Sequence, residues 1–390
     1  MEKLEFVDRR NTNSSKWDGL NRQFGRDGLH AMWVADMDFK VPQCVRKALA
    51  DYVDLGAMGY MAVPESYYEA VMDWEMSVHG YEIKRRWMRF SPGVVAAFHW
   101  AVQIFTEPGD AVIVNTPVYY PFFHAVTSNG RKLVKSDLVN DNGRYSIDFE
   151  KFRKDIQNND VKLFIMCSPH NPVGRVWTAD ELRQLLSICR ENSVLVVADE
   201  IHHDLIAPGT EFVPALQCGE PGEFDSMVIS LTAPSKTFNL AAGQNSIVTI
   251  PEENNRRRWD DFSAGISVSQ GNPFGYIAAE AAYRGGREWY EALIHQIYDV
   301  NFNYLRERLS KDLPGAIVSD LQGTYLAWID MRGVMDPASV KDAVLEKGKL
   351  AVDFGDWFGG EEFDGFVRMN LAAPLEYVEK GADALIASAR

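Results

Sequence analysis

SMVISLTAPSKTFNL (226–240) is the stretch on which the fold turns. It opens as a run of apolar and β-branched residues, the pattern of a strand buried on both faces. It then breaks at Ala233-Pro234 and delivers a lysine, Lys236, into unusual company. Thr232, Ser235 and Thr237 supply hydroxyls, while Ala233, Phe238 and Leu240 supply apolar surface. Surface lysines usually sit among other charges. A lysine caged by apolar neighbours loses solvation in its charged form, and its amine becomes a better nucleophile and base.

Four more short runs repeat the strand pattern: AVIVNTP (111–117), KLFIMCSPHNP (162–172), SVLVVADE (193–200) and NSIVTI (245–250). Helix-like stretches lie between them. VVAAFHWAVQIF (94–105) is one. TADELRQLLSICRENS (178–193) is another, with Thr178 and Glu181 spaced as a capping box. Alternation of strand and helix predicts an α/β domain with a mostly parallel sheet. After about residue 285 the texture changes to a helical stretch over 287–311. Short strand-like runs follow at GTYLAWIDM (323–331), KLAVDFG (349–355) and FVRMNLA (366–372). The expected division is a large α/β domain over 46–286. Residues 1–45 and 287–390 then form an N-terminal segment and a smaller α+β domain.

In open α/β sheets, ligands gather beyond the carboxyl ends of the strands. Those ends carry Tyr119 and Tyr120 in TPVYY, His170 and Asn171 in SPHNPVG, Asp199 and His202 in DEIHHD, and Lys236 in TAPSK. SPGVV (91–95) is a glycine turn leading into a helix start, where free N–H groups suit a phosphate. Singly, each is a common cap, turn former or half-buried aromatic. Jointly they place one polar group at each strand end.

Composition narrows the class. The chain has 390 residues and a formal net charge of -15, which repels phosphate backbones and argues against nucleic-acid partners. Four scattered cysteines fit neither a disulfide framework nor a zinc cage. The polar N-terminus does not read as a signal peptide, and no run is apolar and long enough to span a membrane. A cytoplasmic protein is expected.

SPGVV, TPVYYPF, CSPHNPVGRVW, DEIHHDL and APSKTFNL together resemble the fold-type I enzymes dependent on pyridoxal phosphate, the class I/II aminotransferase superfamily. RRNTNSSKWD (9–18), MWVADMDF (32–39) and GTYLAWID (323–330) resemble its MalY/PatB-type cystathionine β-lyase branch. The resemblance implies an aspartate aminotransferase-like fold with pyridoxal 5′-phosphate bound through Lys236. It implies Asp199 on the pyridine nitrogen, Asn171 on the ring hydroxyl and Tyr119 on the ring face. The N–H groups of Val94 and Val95 would hold the phosphate, with a hydroxyl from Thr232 or Ser235. Tyr60, in GAMGYMAVPE, would reach the phosphate of a neighbouring subunit, so a homodimer with shared active sites is implied. Arg368 would take the substrate α-carboxylate, and Val34 and Ala35 would line the substrate mouth. Lys236, Tyr119 and Asp199 form the implied catalytic set. Two positions depart from the aspartate aminotransferase pattern: His202 stands where that pattern has a tyrosine on the ring hydroxyl, and Gln244 where it has a phosphate-binding arginine.

The implied activity is carbon–sulfur β-elimination from L-cystathionine or a related S-substituted L-cysteine, giving pyruvate, ammonia and a thiol. An aminotransferase using the same residues is the alternative. DEIHHD also gathers metal-ligand residue types, but HExxH spacing is absent and alternate strand residues face apart. No metal is expected. A regulatory role beside catalysis stays open.

Overall fold

The structure is a computed structural model and describes residues 3–390. Each of the five apolar runs of the large domain forms a strand. In chain order the main sheet comprises β1 (Met88–Ser91), β2 (Ala111–Val114), β3 (Lys132–Lys135), β4 (Val161–Cys167), β5 (Leu195–Asp199), β6 (Val228–Thr232) and β7 (Ser246–Thr249). The seven strands lie in the order β1-β7-β6-β5-β4-β2-β3. Strand β7 runs antiparallel to both neighbours, and the remaining pairs are parallel.

Strands β1 and β3 carry no apolar run because they are the edges. In β3, KLVK, Lys132 and Lys135 are exposed and only Val134 is buried. Edge lysines also discourage pairing with another chain.

Inner strands are buried on both faces, and their side chains divide by the period of two. Val112, Val114, Leu163, Ile165, Val197, Ile229 and Leu231 meet helix α2 (Val94–Phe105) on one face, with α1 (Glu65–His79) lying elsewhere. Ile113, Phe164, Met166, Val196 and Val228 join the larger core on the other face. Full burial of each such side chain contributes about 1.5–3 kcal/mol. Helix α3 (Ala179–Glu191) begins at the expected capping box, with Thr178 and Glu181 bonded reciprocally.

A second, antiparallel sheet follows from β8 (Ile317–Val318), β9 (Leu326–Asp330), β10 (Asp353–Phe354) and β11 (Phe366–Asn370), in the order β8-β9-β11-β10. The helical stretch before it is continuous from Arg287 to Asp312, and its middle, His295–Phe302, takes the wider π form.

The N-terminal segment is tied to this later part of the chain. His30 and Ala31 pair in parallel with Leu350 and Ala351. Asp38, fully buried, accepts from Lys16 Nζ at 2.6 Å, Trp17 Nε1 at 2.9 Å and Arg9 Nε at 3.1 Å. Arg9 also grips Asp36 with both terminal nitrogens. The basic RRNTNSSKWD stretch thus clamps MWVADMDF in place.

Candidate active site

A cavity of about 270 Å³ opens at the carboxyl ends of β4, β5 and β6. Lys236 enters it from the short helix Pro234–Thr237 that breaks β6 at Pro234. Its Nζ donates to the Ala35 carbonyl at 2.7 Å. Burial holds the Lys236 amine down at about 8; Asp36 and Asp199 pull it upward and Arg368 pushes it further down. Roughly a tenth of such an amine is uncharged at pH 7, against well under a thousandth for an ordinary lysine.

Asp199 ends β5 on the same cavity. Burial pushes its carboxyl up to about 7, while the Ile201 amide and the Lys236 charge draw it back. Oδ1 accepts from the Ile201 amide at 3.2 Å. A buried carboxyl with so little internal support is prepared for a cationic or N–H partner.

The start of helix α2 also lines the cavity. Gly93, at φ 121, precedes it in a conformation that side chains disfavour, and no side chain caps the first turn. Gly93, Val94, Val95 and Ala96 line the cavity there. Uncapped N–H groups and the positive helix end suit an anion there. Ser235 and Gln244 complete the lining nearby.

Tyr119, Asn171 and His202 also line the cavity. Tyr119 donates its amide to the Asn171 carbonyl at 3.1 Å, so the TPVYY and SPHNPVG turns brace one another. Burial drives the Tyr119 hydroxyl well above its ordinary range. His202 is buried with Nδ1 unpartnered, and burial, with Lys236 and Arg368 nearby, keeps the ring neutral. His170 fixes its turn by bonding the Pro117 carbonyl at 2.9 Å.

Of the residues expected at this site, Val94, Val95, Tyr119, Asn171, Asp199, His202, Ser235, Lys236 and Ala35 all line one cavity. Thr232 does not, which corrects the expectation. The alternation of β6 turns Ile229 and Leu231 toward α2, whereas Thr232 shares a separate small cavity with Ser230, Glu200 and His203. Val34 contributes its carbonyl rather than its side chain, accepting from Asn370 Nδ2 at 2.6 Å. Arg368 stands behind Asn171, donating from Nη1 to Asn171 Oδ1 at 2.9 Å. Tyr60 is fully exposed on an irregular segment that also exposes Leu55 and Met58.

The sequence reading missed Asn370 and Asp353. Asn370 follows Arg368 by two residues in an otherwise apolar strand, so both lie on one face, and that alternation was the available signal. Asp353 is paired with Arg368 across the sheet, a juxtaposition no local pattern reveals.

The fold and the cleft define an α/β protein in which a strand-end lysine, a buried carboxylate and an uncapped helix start line one cavity. The sequence matches the aminotransferase class I and II family over residues 34–385, and the chain belongs to that family. It is 38% identical to cystathionine beta-lyase PatB of Bacillus subtilis (strain 168), over 96% of both chains. Among solved structures it resembles cystalysin from Treponema denticola, which contains pyridoxal 5′-phosphate, with TM-score 0.94, 35% identity and coverage of 99% and 98% of the two chains. It also resembles the pyridoxal phosphate-bound C-S lyase of Staphylococcus hominis, with TM-score 0.92, 32% identity and coverage of 98% and 97%.

Proposed function

We propose that this protein is a pyridoxal phosphate-dependent carbon–sulfur β-lyase acting on L-cystathionine or related S-substituted L-cysteines. The observation that carries the proposal is likeness to a cystathionine β-lyase along 96% of both chains, joined to a cleft holding Lys236 and Asp199. The cavity suits the cofactor on its own evidence. It offers an amine of lowered basicity, an under-supported buried carboxylate and an uncapped helix start at separate points of its wall.

When bound, pyridoxal phosphate supplies an aldehyde for imine formation and a ring that withdraws electrons from the substrate Cα. Lys236 would attach it, and the same amine, once released, would take the Cα proton. Asp199 would hold a proton on the ring nitrogen. Val94 and Val95 would present N–H groups to the phosphate, with Ser235 and Gln244 beside them. Asn171 would bond the ring oxygen, and His202, neutral and unpartnered at Nδ1, would face the same side. Tyr119 would orient the ring, and either Tyr119 or Lys236, the latter carrying the proton taken from Cα, would give a proton to the departing sulfur. Arg368 would receive the substrate α-carboxylate.

Two further elements belong to the proposal. A homodimer would cover exposed Leu55, Met58 and Tyr60 and bring Tyr60 to the partner's phosphate site; their exposure beside an irregular segment supports this. A cytoplasmic location fits the absence, among the described residues, of any helix long and apolar enough to cross a membrane.

A paired assay tests the activity. Holoenzyme with L-cystathionine should yield pyruvate and homocysteine. In parallel, common amino acids with 2-oxoglutarate should yield little glutamate. Glutamate without thiol would replace the lyase with an aminotransferase.

A further inference from the structure

Arg368 occupies an inner strand, with Trp328 opposite on β9 and Asp353 opposite on β10. Its side chain and that of Asp353 are 3% and 2% exposed. The guanidinium is heavily engaged. Nη2 donates to Asp353 Oδ2 in a short ion pair and to the Trp33 carbonyl at 3.2 Å. Nη1 donates to Asn171 Oδ1 at 2.9 Å. The Phe358 ring lies 4.9 Å from the guanidinium carbon. Nε is buried without a partner, as is Oδ1 of Asp353.

This pattern has a chemical consequence. A guanidinium offers two edges for two-pronged pairing with a carboxylate: Nη1 with Nη2, and Nε with Nη2. Both edges need an N–H of Nη2. Here the Asp353 carboxylate and the Trp33 carbonyl hold that nitrogen's two N–H groups. An incoming carboxylate gains a two-pronged grip only by displacing one of them.

Resting on the reading that Arg368 receives the substrate carboxylate, we propose that Asp353 is a specificity-determining residue, an internal carboxylate competing for the arginine edge that the substrate must take. Asp353 thereby weakens capture of the α-carboxylate, so simple amino acids bind poorly and substrates need added contacts from the rest of the side chain. Asp353 acts through Arg368 and touches no reacting atom.

The test uses holoenzyme and separates binding from turnover. The visible absorbance is titrated with L-alanine, which has no β-leaving group, so the readout survives even if the lyase assignment fails. Asp353→Asn keeps an acceptor beside Arg368 but removes the charge. It is expected to tighten L-alanine binding about tenfold, the worth of a lost charge-assisted competitor. The KM for L-cystathionine should fall in parallel, with kcat within about twofold. Arg368→Gln should weaken L-alanine binding in both backgrounds. Thermal melts verify folding, and Asp353→Ser replaces Asp353→Asn if the amide does not fold. Unchanged or weaker L-alanine binding in a folded Asp353 variant overturns the proposal, as does unchanged binding in Arg368→Gln. Tighter binding with no pyruvate from cystathionine upholds Asp353's role and overturns the lyase instead.

Discussion

DEIHHD (199–204) feeds both sides of the main sheet, and the two sides treat charge in opposite ways. Asp199 and His202 face the cleft. Glu200, His203 and Asp204 face the rear. There Asp204 accepts from Trp74 Nε1 at 3.0 Å, His79 Nε2 at 2.7 Å and Thr237 Oγ1 at 2.6 Å. His203 pairs with Glu75 at 3.1 Å, and Glu200 accepts from the Ala215 amide at 2.7 Å. Glu75, His79 and His203 bring possible ligand atoms within 4.8 Å of one another, yet each has a hydrogen-bond partner. On the cleft side, Lys236 has one carbonyl and Asp199 one amide. Buried charge is expensive unless paired. The rear cluster is ion-paired and structural, with only His203 Nδ1 left without a partner among its buried side-chain polar atoms. The cleft groups are left short of partners, the condition in which buried titratable groups are suited to chemistry.

The sharpest way to break this contrast is to remove one member from each side. Lys236→Ala should lower pyruvate formation from L-cystathionine by at least about 10³-fold while leaving the thermal midpoint nearly unchanged. Steady-state kinetics beside a melt would check both halves. Asp204→Ala should do the reverse in kind. It strands His79 and His203 and should cost about 3–5 kcal/mol of stability, read by urea unfolding. Thr237 sits beside Lys236 and loses its anchor in that variant, so some activity should fall as well. Equal losses of stability in the two variants would erase the distinction.

Acidity gives a second comparison. At the rear, burial disfavours the His203 charge, but Asp204 and Glu75 outweigh it and raise His203 to about 10. A base raised on folding stabilises fully below its unfolded value near 6.5, and the contribution is lost as pH rises through 10. Asp204 lies well below the carboxylate range: burial raises it, and His203 and His79 more than reverse that. Its contribution is present above about 4 and is lost as pH falls. Asp199 behaves oppositely. Its carboxyl is raised to about 7, so in cofactor-free protein ionising it costs stability as pH rises from about 4 to 7. Urea midpoints of apoprotein from about pH 4 to 10 should therefore improve in Asp199→Asn relative to the parent near pH 7, while His203→Gln should remove the parent's loss of stability between about pH 6.5 and 10.

The smallest expected effect concerns the anion site. Gln244 lines the cavity at a φ of 46, a conformation already tolerated there by a side chain. Gln244→Arg should add one charge-assisted contact and tighten phosphate-bearing cofactor by about tenfold, measured by equilibrium dialysis.

How much of this was legible beforehand follows from where each signal lies. Inner strands announced themselves because burial on both faces writes a continuous apolar run, as in Ala111–Val114 and Val228–Thr232. Edge strands Met88–Ser91 and Lys132–Lys135 did not, because Arg89 and Ser91 in the one and Lys132 and Lys135 in the other break the apolar run. The cleft residues were readable because each sits at the end of a recognisable strand. Thr232 was misplaced because a residue count along the chain does not say which face of the strand a hydroxyl takes. Asp353 and the Lys16–Asp38 pair were hidden because their partners are joined only by tertiary contact.

Six successive carbonyls, from Met32 to Met37, accept hydrogen bonds from Asn370, Arg368, Lys236, Tyr325 and Asn239. The segment that brings Ala35 to the cleft is therefore held through its main chain, and main chain is common to every residue. Side chains at Val34 and Ala35 can be exchanged without unfastening the segment that carries them. That makes the stretch tolerant of sequence change beside the cleft, and a natural place for a protein engineer to begin.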